Sequence, residues 1–242
     1  MQLADPEGFK KSEEAVSGAS VQIAELPFTN VLAHLQRTGV TVPQLHYYDR
    51  EAGLLYLEDF GDLTLAEACR DTDRDRLVAL YRQAIDQLVL LQVKGTQPPA
   101  PGCIAFHRRF DVPLLMWEFD HFLEYGIVAR LGQPMKPADD KAVRAEFQRI
   151  AELLAGQPQV FVHRDYHSRN LMVDGARLGI IDFQDALMGP ATYDLASLLK
   201  DAYIELDDAV VDGLVEHFLN GLAAHGQGWA DRAAFRRLFD LT

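Results

Sequence analysis

The chain has 242 residues, 48% of them hydrophobic, enough to bury a sizeable core as one large domain or as two lobes. Its 36 acidic against 23 basic residues give a net charge of −13, and no basic stripe offsets it, which argues against nucleic acid or an anionic membrane as a general partner. Two cysteines outside any C-x-x-C pair, an N-terminus without an apolar h-region and no run of 18 apolar residues predict a cytoplasmic chain with no disulfide framework, zinc site or membrane span.

Pro27 to Arg37 carries Phe28, Val31, Leu32 and Leu35 at helical spacing and stops at Gly39, which suits the left-handed position after a helix. Gln44 to Asp49 and Leu54 to Glu58 are short β-rich runs joined by Arg50-Glu51-Ala52-Gly53, a hairpin pattern. The second run leads into Glu58-Asp59-Phe60-Gly61-Asp62, which read alone is an acidic turn after an edge strand. Thr64-Leu65-Ala66-Glu67 has capping-box form and starts a helix through Cys69. From Asp73 to Lys94, Leu77, Leu80, Tyr81, Ala84, Ile85, Leu88 and Leu91 make one apolar stripe, read as core, that ends at Gly95.

The proline-rich segment Gly95 to Gly102 joins this helix to the next. Asp111 to Leu131 is predicted as a helix with Pro113 near its start and Glu118, Asp120 and Glu124 among apolar residues. Pro137 to Leu154 is a further amphipathic helix ending at Gly156. Helical patterns also follow Asp194, through Leu195, Leu198 and Leu199, then Val210 to Leu222 and Ala230 to Leu241. Few strands early, two short hairpin-like pairs in the middle and many helices late predict an α+β fold.

Between these helices lies Val160 to Phe183, VFVHRDYHSRNLMVDGARLGIIDF. An apolar run ends at His163-Arg164-Asp165, a loop carries Asn170, and a second apolar run, Leu178 to Ile181, delivers Asp182. Phosphoryl transfer needs little covalent help from a protein: one carboxylate orients the attacking hydroxyl, while an amide oxygen and a second carboxylate hold magnesium. Asp165 fits the first role, and Asn170 and Asp182 the other two. Read as ordinary structure, the same residues are a polar turn, but two acids and an amide at strand ends are costly to desolvate without a ligand.

The order H-R-D-x-x-x-x-N followed by a strand ending in I-D-F resembles the protein-kinase-like fold. In detail it resembles the aminoglycoside phosphotransferase and choline kinase branch. Gln184-Asp185 stands in place of the glycine of D-F-G, and Gly189-Pro190-Ala191-Thr192-Tyr193-Asp194 follows too soon for a long activation loop. The segments IDFQDALMGPATYDLASLLKD, HRDYHSRNLM and LYLEDFGDLTL are most similar to the bacterial anomeric amino-sugar kinases, which phosphorylate N-acetylmuramate and N-acetylglucosamine at carbon 1 in cell-wall recycling.

The resemblance implies a bilobal fold with a partial small lobe over residues 1–62, a hinge at 58–62 and a helical large lobe over 63–242, holding the catalytic loop 163–170 and the metal strand 178–185. It implies ATP and Mg2+ as cofactors and a small-molecule acceptor. Glu58, Asp59 and Phe60 become hinge residues whose backbone groups bind adenine. His163 supports the loop, and Asp194 hydrogen-bonds back to it. Glu118 or Glu124 would line the acceptor site, with the solvated face of an amphipathic helix as the plain alternative for each. Asp185 would assist the second metal or the acceptor. Arg169, beside Asn170, reads as an exposed loop residue, with contact to phosphate or a substrate carboxylate as the alternative.

The chain departs from the family at its ends. Met1-Gln2-Leu3 looks like the end of a strand, no phosphate-covering loop precedes it, Lys10-Lys11 falls beyond the place of the strand lysine, and Leu241-Thr242 stops inside an apolar helical pattern. The expectation is a fragment of a longer enzyme that binds nucleotide weakly. Two alternatives stay open: a metal-dependent hydrolase built on His163, Asp165, His167, Asp182 and Asp185, and a kinase-like module that binds without transferring phosphate. Within the enzyme reading, aminoglycosides are the runner-up acceptors.

Overall fold

The computed structural model describes residues 25–242, so the expectations placed on Met1-Gln2-Leu3 and Lys10-Lys11 lie outside the described residues. Helix α1, Pro27–Leu35, starts on proline and buries Phe28, Val31, Leu32 and Leu35. Strands β1, Leu45–Asp49, and β2, Leu54–Leu57, pair antiparallel. Their turn is closed by Asp49 Oδ1, which accepts the N–H groups of Glu51 at 3.1 Å and Ala52 at 3.0 Å. The capping box is present: Thr64 Oγ1 accepts from Glu67 N at 3.2 Å and Glu67 Oε2 accepts from Thr64 N at 3.1 Å, opening the short helix α2, Leu65–Ala68.

Helix α3, Arg74–Thr96, is capped by Asp73, whose Oδ1 accepts the Arg76 N–H at 2.8 Å. It passes through Gly95 instead of stopping there. A Cβ at Gly95 would lie 3.2 Å from the Phe161 side chain, so the glycine serves close packing of helix on strand, not termination. The expected single helix over Asp111 to Leu131 is also corrected. It is α4, Val112–His121, then a π-helical stretch, Phe122–Val128, then α5, Ala129–Leu131. The Phe122 ring lies over Gly126, where a Cβ would sit 2.9 Å from it, and Gly132 ends the run at φ 66°. Helix α6 follows as Pro137–Ala155.

Strands β3, Gln159–Val162, β4, Leu171–Asp174, β5, Arg177–Ile180, and β6, Leu187–Pro190, make two antiparallel pairs, β3 with β6 and β4 with β5. The chain ends with α7, Thr192–Leu199, α8, Asp208–Ala224, and α9, Arg232–Leu241. The register sets Val162 opposite Leu187 and Leu171 opposite Ile180, which aligns the strand ends that carry His163, Asn170 and Asp182. One apolar core gathers α3, α8 and the strands; a second, of Phe110, Leu114, Leu115, Ala151, Leu154, Val162 and Leu187, fixes α4 and α6 to the β3–β6 pair. No helix among the described residues is long and apolar enough to cross a membrane.

Candidate active site

The loop after β3 is held from behind by a buried acid. Asp194, in the first turn of α7, accepts the backbone N–H groups of His163 at 2.7 Å and Arg164 at 3.0 Å. Burial pushes its carboxyl up to about 7, against the pull of those two bonds. His163 is fully buried, its Nε2 lies 2.9 Å from the Ile181 carbonyl, and its Nδ1 lies 3.2 Å from the Asp165 amide. Since a backbone N–H must donate to Nδ1, these partners assign the neutral Nε2–H tautomer. Burial lowers the ring's pKa to about 4, consistent with that neutral form. With both nitrogens engaged, His163 is no metal ligand, which removes the hydrolase arrangement built on it.

Two non-glycine residues adopt left-handed backbone here, Arg164 at φ 85° and Asp182 at φ 66°. Such geometry costs on the order of 1–3 kcal/mol each and needs surrounding bonds to hold it. For Asp182 those bonds come from Asn170 and Gln184. Asn170 Nδ2 donates to the Asp165 carbonyl at 3.0 Å and to Asp182 Oδ2 at 3.3 Å, while Gln184 Nε2 donates to Asp182 Oδ1 at 2.8 Å. Asn170 Oδ1 accepts nothing among the described residues. The Asp165 carboxylate likewise has no hydrogen-bond partner there. Its pKa is raised, first by loss of solvent, then by the like charges of Asp182 and Asp185, with Arg164 opposing.

An amide oxygen and a carboxylate on facing strand ends fit magnesium, which takes one or two protein oxygens and fills its octahedron with phosphates and water. No group of three or more His, Cys, Asp or Glu side chains among the described residues forms a metal cage, in keeping with that sparse donor set.

Glu118 faces the loop from α4. Its Oε1 accepts from Arg164 Nη2 at 3.2 Å and its Oε2 from the Tyr193 hydroxyl at 3.0 Å. Burial raises its pKa, and Arg164 counters. The solvated-acid alternative is therefore corrected for Glu118: both carboxylate oxygens are engaged inside the fold. Glu124 is exposed in the π-helical stretch and its side chain makes no polar contact among the described residues, so the structure does not bring it to the loop. Asp185 lies 3.8 Å from Arg108 and 3.5 Å from Gln184 Nε2.

After β2 the chain runs beside the β4–β5 hairpin, with Val173 N–H donating to Leu63 O at 2.8 Å. Glu58 pairs with Arg177 at 3.2 Å. Phe60 is buried against Gly179, where a Cβ would lie 2.4 Å from its ring, and Asp59 Oδ1 accepts the Gly61 N–H at 2.8 Å. The carbonyl of Glu58 and the N–H of Phe60 have no partner among the described residues. Arg169 is not merely an exposed loop cation: its guanidinium stacks 3.7 Å from the Tyr203 ring centroid, beside a cavity of about 670 Å³ lined by Thr64, Glu67 and Arg70.

Sequence reasoning did not assign Arg108, Arg164, Gln184 or Tyr193 to the site. Arg164 and Gln184 lie within the quoted motifs, and the only signal for Gln184 was its standing where D-F-G has glycine. Nothing local in the sequence marks Arg108 or Tyr193.

The profile described as phosphotransferase enzyme family matches residues 17–235. Curated proteins named N-acetylmuramate/N-acetylglucosamine kinase match at 32–35% identity. That of Pseudomonas putida is 35% identical over 220 residues, covering 89% of this chain and 61% of the relative. The chain spans 47–61% of the length of the curated relatives it matches. Among solved structures, the aminoglycoside-3'-phosphotransferase of type VIII superposes with a TM-score of 0.56 at 18% identity, over 89% of this chain and 79% of that one. LicA in complex with AMP superposes with a TM-score of 0.54 at 18% identity, over 96% and 71%. These likenesses establish the kinase-like α+β fold.

Proposed function

Because the chain belongs to the phosphotransferase enzyme family, we propose that it takes part in moving a phosphoryl group from ATP to a hydroxyl of a small acceptor, an amino sugar of the N-acetylmuramate or N-acetylglucosamine type phosphorylated at carbon 1. The observation that carries the reading is the span of Asn170, whose one amide nitrogen donates to both the Asp165 carbonyl and the Asp182 carboxylate while its oxygen accepts nothing among the described residues. The names of the curated relatives support the acceptor class.

In this mechanism Asp165 accepts a hydrogen bond from the acceptor hydroxyl, orients it in line with the nucleotide and takes its proton late. No donor among the described residues reaches its carboxylate, which leaves it available there, and its raised pKa brings it closer to a working base. Asn170 Oδ1 and Asp182 would hold magnesium, which when bound neutralises charge on the nucleotide phosphates. His163, neutral, presents Nδ1 to the Asp165 amide and so sets the direction of that residue. Asp194 supports the same loop. The Glu58 carbonyl and Phe60 N–H offer an acceptor and a donor to adenine, over the apolar floor of the β4–β5 hairpin.

The test is to incubate the protein with Mg-ATP and N-acetylmuramate, N-acetylglucosamine, kanamycin or choline, and to look for added phosphate by mass spectrometry, with Asp165→Asn as control. Phosphate on an amino sugar that the control abolishes supports the reading. Phosphate on kanamycin alone makes the aminoglycoside the acceptor. No product with any acceptor overturns the claim that this chain is competent by itself and leaves the binding-module alternative.

A further inference from the structure

Resting on that reading, we infer that Arg108 is the specificity-determining residue of the acceptor end of the cleft, taking a carboxylate that N-acetylmuramate carries and N-acetylglucosamine lacks. The two sugars differ by one lactyl ether, so a site that accepts both needs one group that rewards the added carboxylate without being required by the smaller sugar.

The backbone at Arg108 is fixed. Its carbonyl accepts the Met188 N–H at 3.0 Å, and Phe110 N–H donates to Met188 O at 2.9 Å, so residues 108–110 run along β6 as an added edge. A tight turn, with Ala186 N–H donating to Phe183 O at 3.1 Å, brings Asp185 to the same edge. The Arg108 side chain is only 12% exposed, and its Nη1 lies 3.8 Å from Asp185 Oδ1, an ion pair too long for a hydrogen bond. None of the guanidinium N–H groups reaches a carbonyl or carboxylate oxygen of the described residues. The side chain is packed along its length while its guanidinium nitrogens reach solvent with one distant counter-charge, which leaves its donors open to an anion. Its planar fork matches a carboxylate through two parallel bonds.

The order along the cleft follows from a chain of contacts: Gln184 Nε2 lies 2.8 Å from Asp182 Oδ1 and 3.5 Å from Asp185 Oδ2, and Asp185 Oδ1 lies 3.8 Å from Arg108 Nη1. Arg108 therefore stands beyond Asp185 as seen from Asp182. An acceptor held with carbon 1 at Asp165 points its far substituent that way, with Asp185 beside its hydroxyl or amide groups. The other source of an anion for Arg108 is a nucleotide phosphate, and the experiment separates the two.

Calorimetry on the 242-residue chain would measure N-acetylmuramate, N-acetylglucosamine and Mg-ATP binding to the wild type, Arg108→Met and Arg108→Lys. We expect Arg108→Met to weaken N-acetylmuramate by about ten- to hundredfold, the range of a charge-assisted pair, with N-acetylglucosamine within about threefold and Arg108→Lys between the two. Retained N-acetylglucosamine binding also reports that the variant folds. Equal loss for both sugars, no loss for either, or loss confined to Mg-ATP would each overturn the assignment while leaving the amino-sugar reading intact. A wild type that binds neither sugar would overturn both.

Discussion

The carboxylate of Asp194 accepts the backbone N–H of His163 at 2.7 Å across 31 residues of chain. This bond, with its neighbour to Arg164, ties the loop carrying the proposed base to the first turn of α7. Replacing Asp194 by Ala leaves two buried N–H groups without an acceptor and should cost about 2–4 kcal/mol, read as a lowered urea midpoint at constant m.

The same acid gives a pH signature of definite sign. Its folded pKa, about 7, lies above the ordinary 3.8, so the folded protein holds a proton that the unfolded chain has released, and this group's contribution to stability falls as pH rises from about 4 to about 7. His163 acts in the opposite sense: its folded value, about 4, lies below 6.5, so its contribution is complete above 6.5 and is lost as pH falls toward 4. Between about pH 4 and 6.5 the two offset each other. In Asp194→Asn the offset to the His163 slope is removed, and thermal midpoints of that variant should rise with pH more steeply than those of the wild type across this window.

His163 itself should stay neutral well below pH 6. Long-range proton–nitrogen correlation spectra are expected to show a protonated Nε2 and an unprotonated Nδ1 at pH 6; a protonated pair of nitrogens there would undo the assignment of its two partners.

Gly179 is the fourth test. A Cβ would stand 2.4 Å from the Phe60 ring, which is buried and must rotate away. Gly179→Ala should lose about 1–3 kcal/mol of stability. It should also weaken Mg-ATP binding measured by calorimetry more than acceptor binding, because Phe60 carries the proposed hinge amide.

Most of the architecture was legible because helices write their period into the chain. The α3 stripe, the Thr64/Glu67 capping box and the hairpin over residues 45–57 needed only local information. Gly95 misled because a glycine that ends a helix and a glycine that admits a neighbouring ring look alike until the ring is known. Phe161 is 66 residues from Gly95, beyond the reach of periodicity. At the site, Asp165, Asn170 and Asp182 stood out through their spacing after apolar runs, and the fold brings them together. Arg108 and Tyr193 did not stand out, since what places them is the pairing of distant segments along β6 and α7. Glu118 was marked by its helix but not by its partners, because its meeting with Arg164 depends on how α4 packs over the loop.

Removing Asn170 should separate metal affinity from acceptor affinity. Asn170→Ala is expected to lower kcat by at least about a hundredfold and to raise the magnesium concentration for half-maximal rate, with little change in amino-sugar KM. A rate loss that excess magnesium fully restores would point to ligation alone; a residual loss would measure the bridge to Asp165.

The π-helical stretch Phe122–Val128 is a helix with surplus chain wound into it. Deleting one residue there would return it to α-helical winding, turning Ala129–Leu131 by about 100° and drawing it in by about 1.5 Å. Glu118, one turn upstream, would keep its grip on Arg164 and Tyr193. The end of this run can thus be re-indexed by single-residue insertions and deletions while Glu118 keeps its contacts, so length variation here moves one end of the helix and spares the other.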